Sequence, residues 1–221
     1  MPRKIKLVVF DLDGTLVDAY KAVASSLNHA FSVFGFPSVD DVTIQRSVGW
    51  GDKMLVGKFV PPEKIDQVLS VYRTHHTRAL RSGTKFLPGT KAVLDALKKD
   101  GYTLAIASNR PSRFTHIILK HLIIEGYFTA VVCADQVENP KPAPDMLKAI
   151  LKRCRLGPQE ALYVGDMTID AQTGQEAGVR TVCVVSGSST QEEIQKLKPF
   201  RIIHQIKDLP GILEELNGKD C

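Results

Sequence analysis

Short runs of consecutive apolar, often β-branched residues alternate along the chain with longer stretches whose apolar positions recur every three or four residues. The short runs predict strands over Ile5–Phe10, Thr103–Ala107, Ala130–Cys133, Ala161–Val164 and Arg180–Val185. The longer stretches predict helices near Lys91–Lys99, Arg113–Leu122, Asp145–Arg153 and Ile169–Ala177. Strands that are apolar at every position must be buried on both faces. Their alternation with helices predicts an α/β fold with a parallel sheet covered on both sides. In such a sheet a ligand sits beyond the carboxyl ends of the strands.

One segment breaks this rhythm. From about Ala19 to Ser82 the pattern is helical only, with helices over Lys21–Phe34, Asp40–Arg46, Asp52–Phe59 and Glu63–Leu80. Gly35-Phe36-Pro37, Gly49-Trp50-Gly51 and Pro61-Pro62 mark the turns between them, and Phe86-Leu87-Pro88-Gly89 marks the return. The expected organisation is an α/β core of residues 1–18 and 83–221, with a second, all-helical domain of residues 19–82 inserted after the first strand.

Composition narrows the class. The chain has 221 residues, 43% hydrophobic and 24% charged, enough to bury a sizeable core. A net charge of +5 without a basic tract argues against nucleic acid and suits an anionic small molecule. Cys133, Cys154, Cys183 and Cys221 form no C-x-x-C pair and match no zinc spacing, which fits a reducing, cytoplasmic setting. After the basic start MPRKIK the apolar run covers only Leu7 to Phe10. That is too short for a signal peptide or a membrane span, so no membrane partner is expected.

The polar residues that follow each strand carry the chemistry. Asp11, Asp13, Gly14 and Thr15 follow the first strand, and Ser108, Asn109 and Arg110 the second. Lys141 comes some residues after the third. Gly165 and Asp166 follow the fourth, with Asp170 four positions on. A parallel sheet brings all four groups to one edge. Clustered carboxylates tolerate each other when a divalent cation neutralises them, and an all-oxygen donor set suits Mg²⁺. A lysine and a hydroxyl suit the remaining oxygens of a phosphate. An aspartate can attack phosphorus, and another can serve as acid or base. Each piece also has a plainer meaning: a turn at Asp13-Gly14, a helix cap at Ser108-Asn109, a surface lysine at 141, and a cap with a first-turn acid at Asp166 and Asp170. Their order, one group per strand, is what favours a shared cleft.

The segments DLDGTLVD, ASN, NPKPAPDML and VGDMTID resemble the four motifs of the haloacid dehalogenase superfamily across nearly the whole chain. The resemblance implies a Rossmann-like core with a helical cap. It implies Asp11 as the nucleophile that becomes an aspartyl-phosphate and Asp13 as the general acid–base. Ser108 and Lys141 would bind the transferring phosphoryl group. Asp11, the backbone carbonyl of Asp13 and Asp166 would hold Mg²⁺, with Asp170 supporting the metal or Lys141. The dehalogenases of the superfamily lack the second aspartate, so Asp13 implies phosphoryl chemistry.

Within the superfamily the chain looks most like phosphoglycolate phosphatases, through SNRPSRF and RSVGWGDKML. The implied reaction is Mg²⁺-dependent hydrolysis of small phosphomonoesters, with 2-phosphoglycolate the leading substrate. A sugar-phosphate mutase, or a phosphatase for pyrophosphate, nucleoside monophosphates or sugar phosphates, is the alternative. A non-catalytic protein on the same scaffold should have lost a carboxylate, and none is lost. Thr15, Asn109 and Arg110 are the expected core residues facing substrate. Gly49, Trp50 and Lys53 are the expected cap residues, with Arg46 or Lys53 meeting a substrate carboxylate. Trp50 has the alternative of packing between cap helices. The six histidines are expected to be ordinary surface or helix-face residues. The expected partner is a small phosphorylated metabolite, and the protein a monomer or homodimer.

Overall fold

The computed structural model describes residues 4–218. Six strands form one parallel sheet: β1 (Leu7–Phe10), β4 (Thr103–Ser108), β5 (Ala130–Cys133), β6 (Ala161–Gly165), β7 (Arg180–Val184) and β8 (Arg201–Ile203). Their order is β5-β4-β1-β6-β7-β8. The sheet therefore switches direction at β1, where the chain returns first to one flank and later to the other.

Alternation along the strands divides the side chains between two layers. Val8, Phe10, Leu104, Ile106, Leu162 and Val164 join one buried cluster with residues of α5 (Thr90–Lys99), α6 (Ser112–His121) and α10 (Leu209–Asn217). Leu7, Val9, Ala105, Ala107 and Tyr163 join another with Met146, Leu147, Ile150 and Leu151 of α7 (Asp145–Cys154). Burial on both faces is why these strands read as unbroken apolar runs. Beside the second layer, α8 (Thr168–Ala177) places Ala171 against Cys183 of β7 and Ile194 of α9 (Gln191–Gln195).

Between β2 (Val17–Asp18) and β3 (Lys85–Phe86) the chain makes four helices: α1 (Tyr20–Phe34), α2 (Asp41–Ser47), α3 (Asp52–Gly57) and α4 (Ile65–Gly83). Local chemistry sets their ends. Gly35 stops α1 in the left-handed region at φ 72°. The Asp40 carboxylate accepts from Thr43 N–H at 2.9 Å and caps α2. Leu27, Phe31, Ile44, Leu55, Val56, Val68 and Tyr72 form a buried cluster of their own within this segment. The two chain passages to and from it pair antiparallel, Val17 opposite Phe86 and Asp18 opposite Lys85.

The strands and helices differ from expectation mostly at their ends. β1 begins at Leu7 rather than Ile5, and α4 runs to Gly83 rather than Leu80. The sequence pattern left out β2, β3, β8, α9 and α10. Strands of two or three residues are too short to show a period. Cys133 and Cys183 are buried free thiols and Cys154 is half-buried, whereas Cys221 and the start Met1–Arg3 lie outside the described residues. Among the described residues, no helix is long and apolar enough to cross a membrane.

Candidate active site

Register brings the polar groups together. Phe10 lies opposite Ile106 of β4 on one side and Val164 of β6 on the other. The next residues outward are Asp11 from β1, Ser108 to Arg110 from β4, and Asp166 from β6. All meet at the carboxyl edge beside the switch in strand order, where an α/β sheet opens a crevice.

Three buried carboxylates form the centre. Oxygens of Asp11, Asp166 and Asp170 lie within 4.8 Å of one another. Lys141 is buried with them, its Nζ 2.8 Å from Asp11 Oδ1 and 2.7 Å from Asp170 Oδ1. Its third contact is Tyr163 OH at 3.2 Å, and that hydroxyl donates to Asp170 Oδ1 at 2.6 Å. Burial alone would lower the Lys141 ammonium, but Asp11 and Asp170 outweigh it and hold the group above its usual range. Burial pushes Asp11 up to about 7 against the pull of Lys141. Asp166 is raised well above its ordinary value by burial and by the charges of Asp11 and Asp170. With all three carboxylates ionised, the cluster would exceed its one ammonium by two negative charges, and it is burial, with this repulsion, that pushes Asp11 and Asp166 toward the protonated form. One divalent cation would cancel that excess, and the hard oxygen donors suit such an ion.

Asp170 serves as both a helix cap and a lysine partner. Its Oδ2 accepts from the N–H groups of Asp166 and Met167 at 3.2 and 3.0 Å, at the start of α8. With Lys141 and Tyr163 on Oδ1, both of its oxygens are committed. Asp170 thus carries the Lys141 ammonium and three further donors, whereas Asp166 takes one neutral donor on each oxygen, which leaves Asp11 and Asp166 less encumbered toward a cation. Asp166 is steadied by Thr15 Oγ1, which donates at 2.9 Å, and by Ser188 N–H at 2.9 Å.

The backbone must come very close here. Gly14, at φ 79°, would put a Cβ 2.5 Å from Asp166 Oδ2. A Cβ on Gly187 would overlap the same carboxylate. Only glycine fits at either position.

Asp13 lies beside the cluster in a bidentate pair with Arg110, Nε to Oδ2 at 2.7 Å and Nη2 to Oδ1 at 2.8 Å. Asp11, Asp13, Ser108, Arg110, Gly49 and Tyr72 help line a cavity of about 520 Å³, counted with its open mouth, between the sheet edge and the helical segment.

Several residues expected to face a ligand are occupied elsewhere. Thr15 is fully buried and spends its hydroxyl on Asp166. Asn109 clamps backbone: Nδ2 donates to the carbonyls of Gly49 and Lys141 at 3.0 and 3.1 Å, and Oδ1 accepts from Lys141 N–H at 3.0 Å. Gly49 lines the cavity, but Trp50 is 41% exposed and is not among the cavity residues. Lys53 pairs at 3.0 Å with Asp66 on the surface. Arg46 is tied to Glu193 at 2.6 Å and to the Ser188 carbonyl at 2.6 Å, and neither Lys53 nor Arg46 is among the residues lining the cavity.

Two residues that the sequence did not single out complete the site. Tyr163 sits inside an apolar strand and reads as core. His76, grouped with the ordinary histidines, is fully buried, its Nε2 2.7 Å from Arg110 Nη1. Nothing in the spacing of α4 marks it, because its partner is 34 residues away in sequence.

The comparisons with known proteins agree with this geometry. The family model for haloacid dehalogenase-like hydrolases matches residues 8–184. The phosphoglycolate phosphatase of Escherichia coli (strain K12) is 30% identical, over 93% of this chain and 91% of that protein. The phosphoglycolate phosphatase of Vibrio vulnificus (strain YJ016) is also 30% identical, over 96% of this chain and 97% of that one. The crystal structure of a predicted phosphoglycolate phosphatase from Haemophilus somnus 129pt superposes with a TM-score of 0.89 at 25% identity, covering 95% of this chain and 98% of that chain. A carboxylate-rich sheet edge, the match of the family model over most of the chain and these relatives lead to one conclusion: the chain belongs to the haloacid dehalogenase-like hydrolases and is a phosphatase.

Proposed function

We propose that this phosphatase is Mg²⁺-dependent, acts on 2-phosphoglycolate and forms a phosphoryl intermediate on Asp11. The observation that carries the reading is the buried cluster of the Asp11, Asp166 and Asp170 carboxylates around the single ammonium of Lys141. The names of the relatives support the substrate.

Asp11 and Asp166, with the Asp13 backbone carbonyl, would hold the metal, which when bound offsets the charge of carboxylates and phosphate alike. Lys141 and the Ser108 hydroxyl bind phosphoryl oxygens and place phosphorus next to Asp11. The Asp11 oxygen not held by Lys141 attacks phosphorus, and the bond from phosphorus to the ester oxygen breaks. Asp13, once it leaves Arg110 and takes up a proton from solvent, gives that proton to the leaving oxygen. It then takes a proton from a water molecule, which attacks phosphorus and releases Asp11. The segment 19–82 acts as a cap: its walls over the cavity, Tyr72 among them, keep bulk water from the intermediate until one molecule is directed. A cytoplasmic setting, the absence of nucleic-acid and membrane partners, and a monomeric or homodimeric state complete the reading.

Phosphate release with Mg²⁺ across phosphoglycolate, sugar phosphates, nucleoside monophosphates and pyrophosphate tests the substrate. Phosphoglycolate should give the highest kcat/KM. A higher value for any other member of the panel would overturn the assignment.

A further inference from the structure

Arg110 is held from two sides. The Asp13 carboxylate takes Nε and Nη2, and His76 of α4 takes Nη1 at 2.7 Å. The protons at His76 can be placed. Ser26 donates its hydroxyl to the Ala22 carbonyl at 2.7 Å, so its oxygen accepts from His76 Nδ1 at 3.0 Å. His76 Nε2 then carries the lone pair that Arg110 needs. Burial pushes His76 down to about 2, which keeps the ring neutral. The ring is stacked on Tyr72 at 4.8 Å and meets Phe114 edge-on at 5.0 Å, so it is fixed in place.

The grip on Asp13 has a consequence for turnover. With both oxygens in the guanidinium fork, Asp13 is not free to follow a leaving oxygen. Arg110 is only 9% exposed, and stripping a buried guanidinium of its anion is strongly unfavourable. Asp13 therefore leaves readily only when another carboxylate takes its place. A planar carboxylate fits the same two N–H groups, whereas an alkyl group offers them nothing.

We propose that Arg110 determines specificity by exchange: it takes the carboxylate of the substrate in place of Asp13, and this exchange is what frees Asp13 for proton transfer. His76 is a positioning residue that keeps the guanidinium still while its anion changes. The idea rests on the reading of the substrate as phosphoglycolate. Arg110, Asp13, Asp11 and Ser108 line one cavity, so the two ends of such a substrate meet their partners in the same space. Because His76 belongs to α4, the guanidinium has its second anchor only while the helical segment lies over the sheet edge.

The test compares kcat and KM for 2-phosphoglycolate and for ethyl phosphate, which carries a methyl group where phosphoglycolate has its carboxylate. The wild type should favour phosphoglycolate by ~100-fold or more in kcat/KM, and Arg110→Gln should bring that ratio below ~10. His76→Gln should also lower the ratio, chiefly through a higher KM for phosphoglycolate. A purely structural His76 would weaken both substrates alike and leave the ratio standing. If Arg110→Gln does not fold, His76→Gln decides alone. An unchanged ratio overturns the exchange and leaves the phosphoglycolate reading intact. A wild type that cleaves other phosphates but not phosphoglycolate overturns both.

Discussion

At the scale of single residues, charge balance governs the site. Among the described residues, Lys141 is the only cation in contact with Asp11 and Asp170, and all three are buried. Lys141→Met should cost roughly 3–5 kcal/mol, because it leaves buried carboxylates unpaired. In thermal melts without metal, the midpoint should fall by roughly 10 °C. Asp11 works in the opposite sense. Its folded-state value of about 7 lies above the ordinary 3.8, so between those values the folded protein binds the extra proton. Stability from this group is present at pH 4 and is lost as pH rises through 7. Asp11→Asn removes that loss. It should raise the melting temperature of the metal-free protein by more than ~3 °C at pH 8 and by less at pH 4. A larger gain at pH 4 would contradict the electrostatic account. At this scale Asp11, Asp13, Ser108, Lys141 and Asp166 were legible, because each follows a strand in chain order. Tyr163 and His76 were not, because a buried tyrosine and a buried histidine look like core until their partners are placed.

At the scale of elements, the site depends on how closely loops approach the strand ends. Gly187 lies in the turn after β7, where any side chain would overlap the Asp166 carboxylate. Gly187→Ala should destabilise by about 1–3 kcal/mol in urea titrations and lower turnover as well. Gly126→Ala is the matching control, since nothing lies within 4 Å of the added carbon. It should stay within ~0.5 kcal/mol of wild type. Arg46 of α2 and Glu193 of α9 join the helical segment to the sheet side through a half-exposed pair. Arg46→Ala should change stability by less than ~1 kcal/mol, and less still at high salt. The long, strongly periodic helices and the five buried strands were readable. β8 and the paired β2 and β3 depend on neighbours rather than on their own pattern, as three-residue and two-residue strands must.

For the whole molecule, strand order turns local motifs into a site. Only a parallel sheet with β1 between β4 and β6 sets Asp11 beside both Ser108 and Asp166. The α/β class and the helical interruption after β1 were legible because strand-like runs are absent between residues 19 and 82. The contacts between the helical segment and the sheet edge were not. Trp50 and Lys53 turn outward, while His76 and Gly49 face in, and a single sequence gives no register between segments that are packed but not paired. The proposed mechanism turns on Asp11 as the acceptor of the phosphoryl group. The measurement is steady-state phosphate release from 2-phosphoglycolate by wild type and Asp11→Asn, with Mg²⁺ and again with excess chelator. Release by the wild type should require Mg²⁺ and be lost on chelation, and it should fall by at least ~10³-fold in Asp11→Asn. Turnover by Asp11→Asn close to that of wild type would contradict the mechanism.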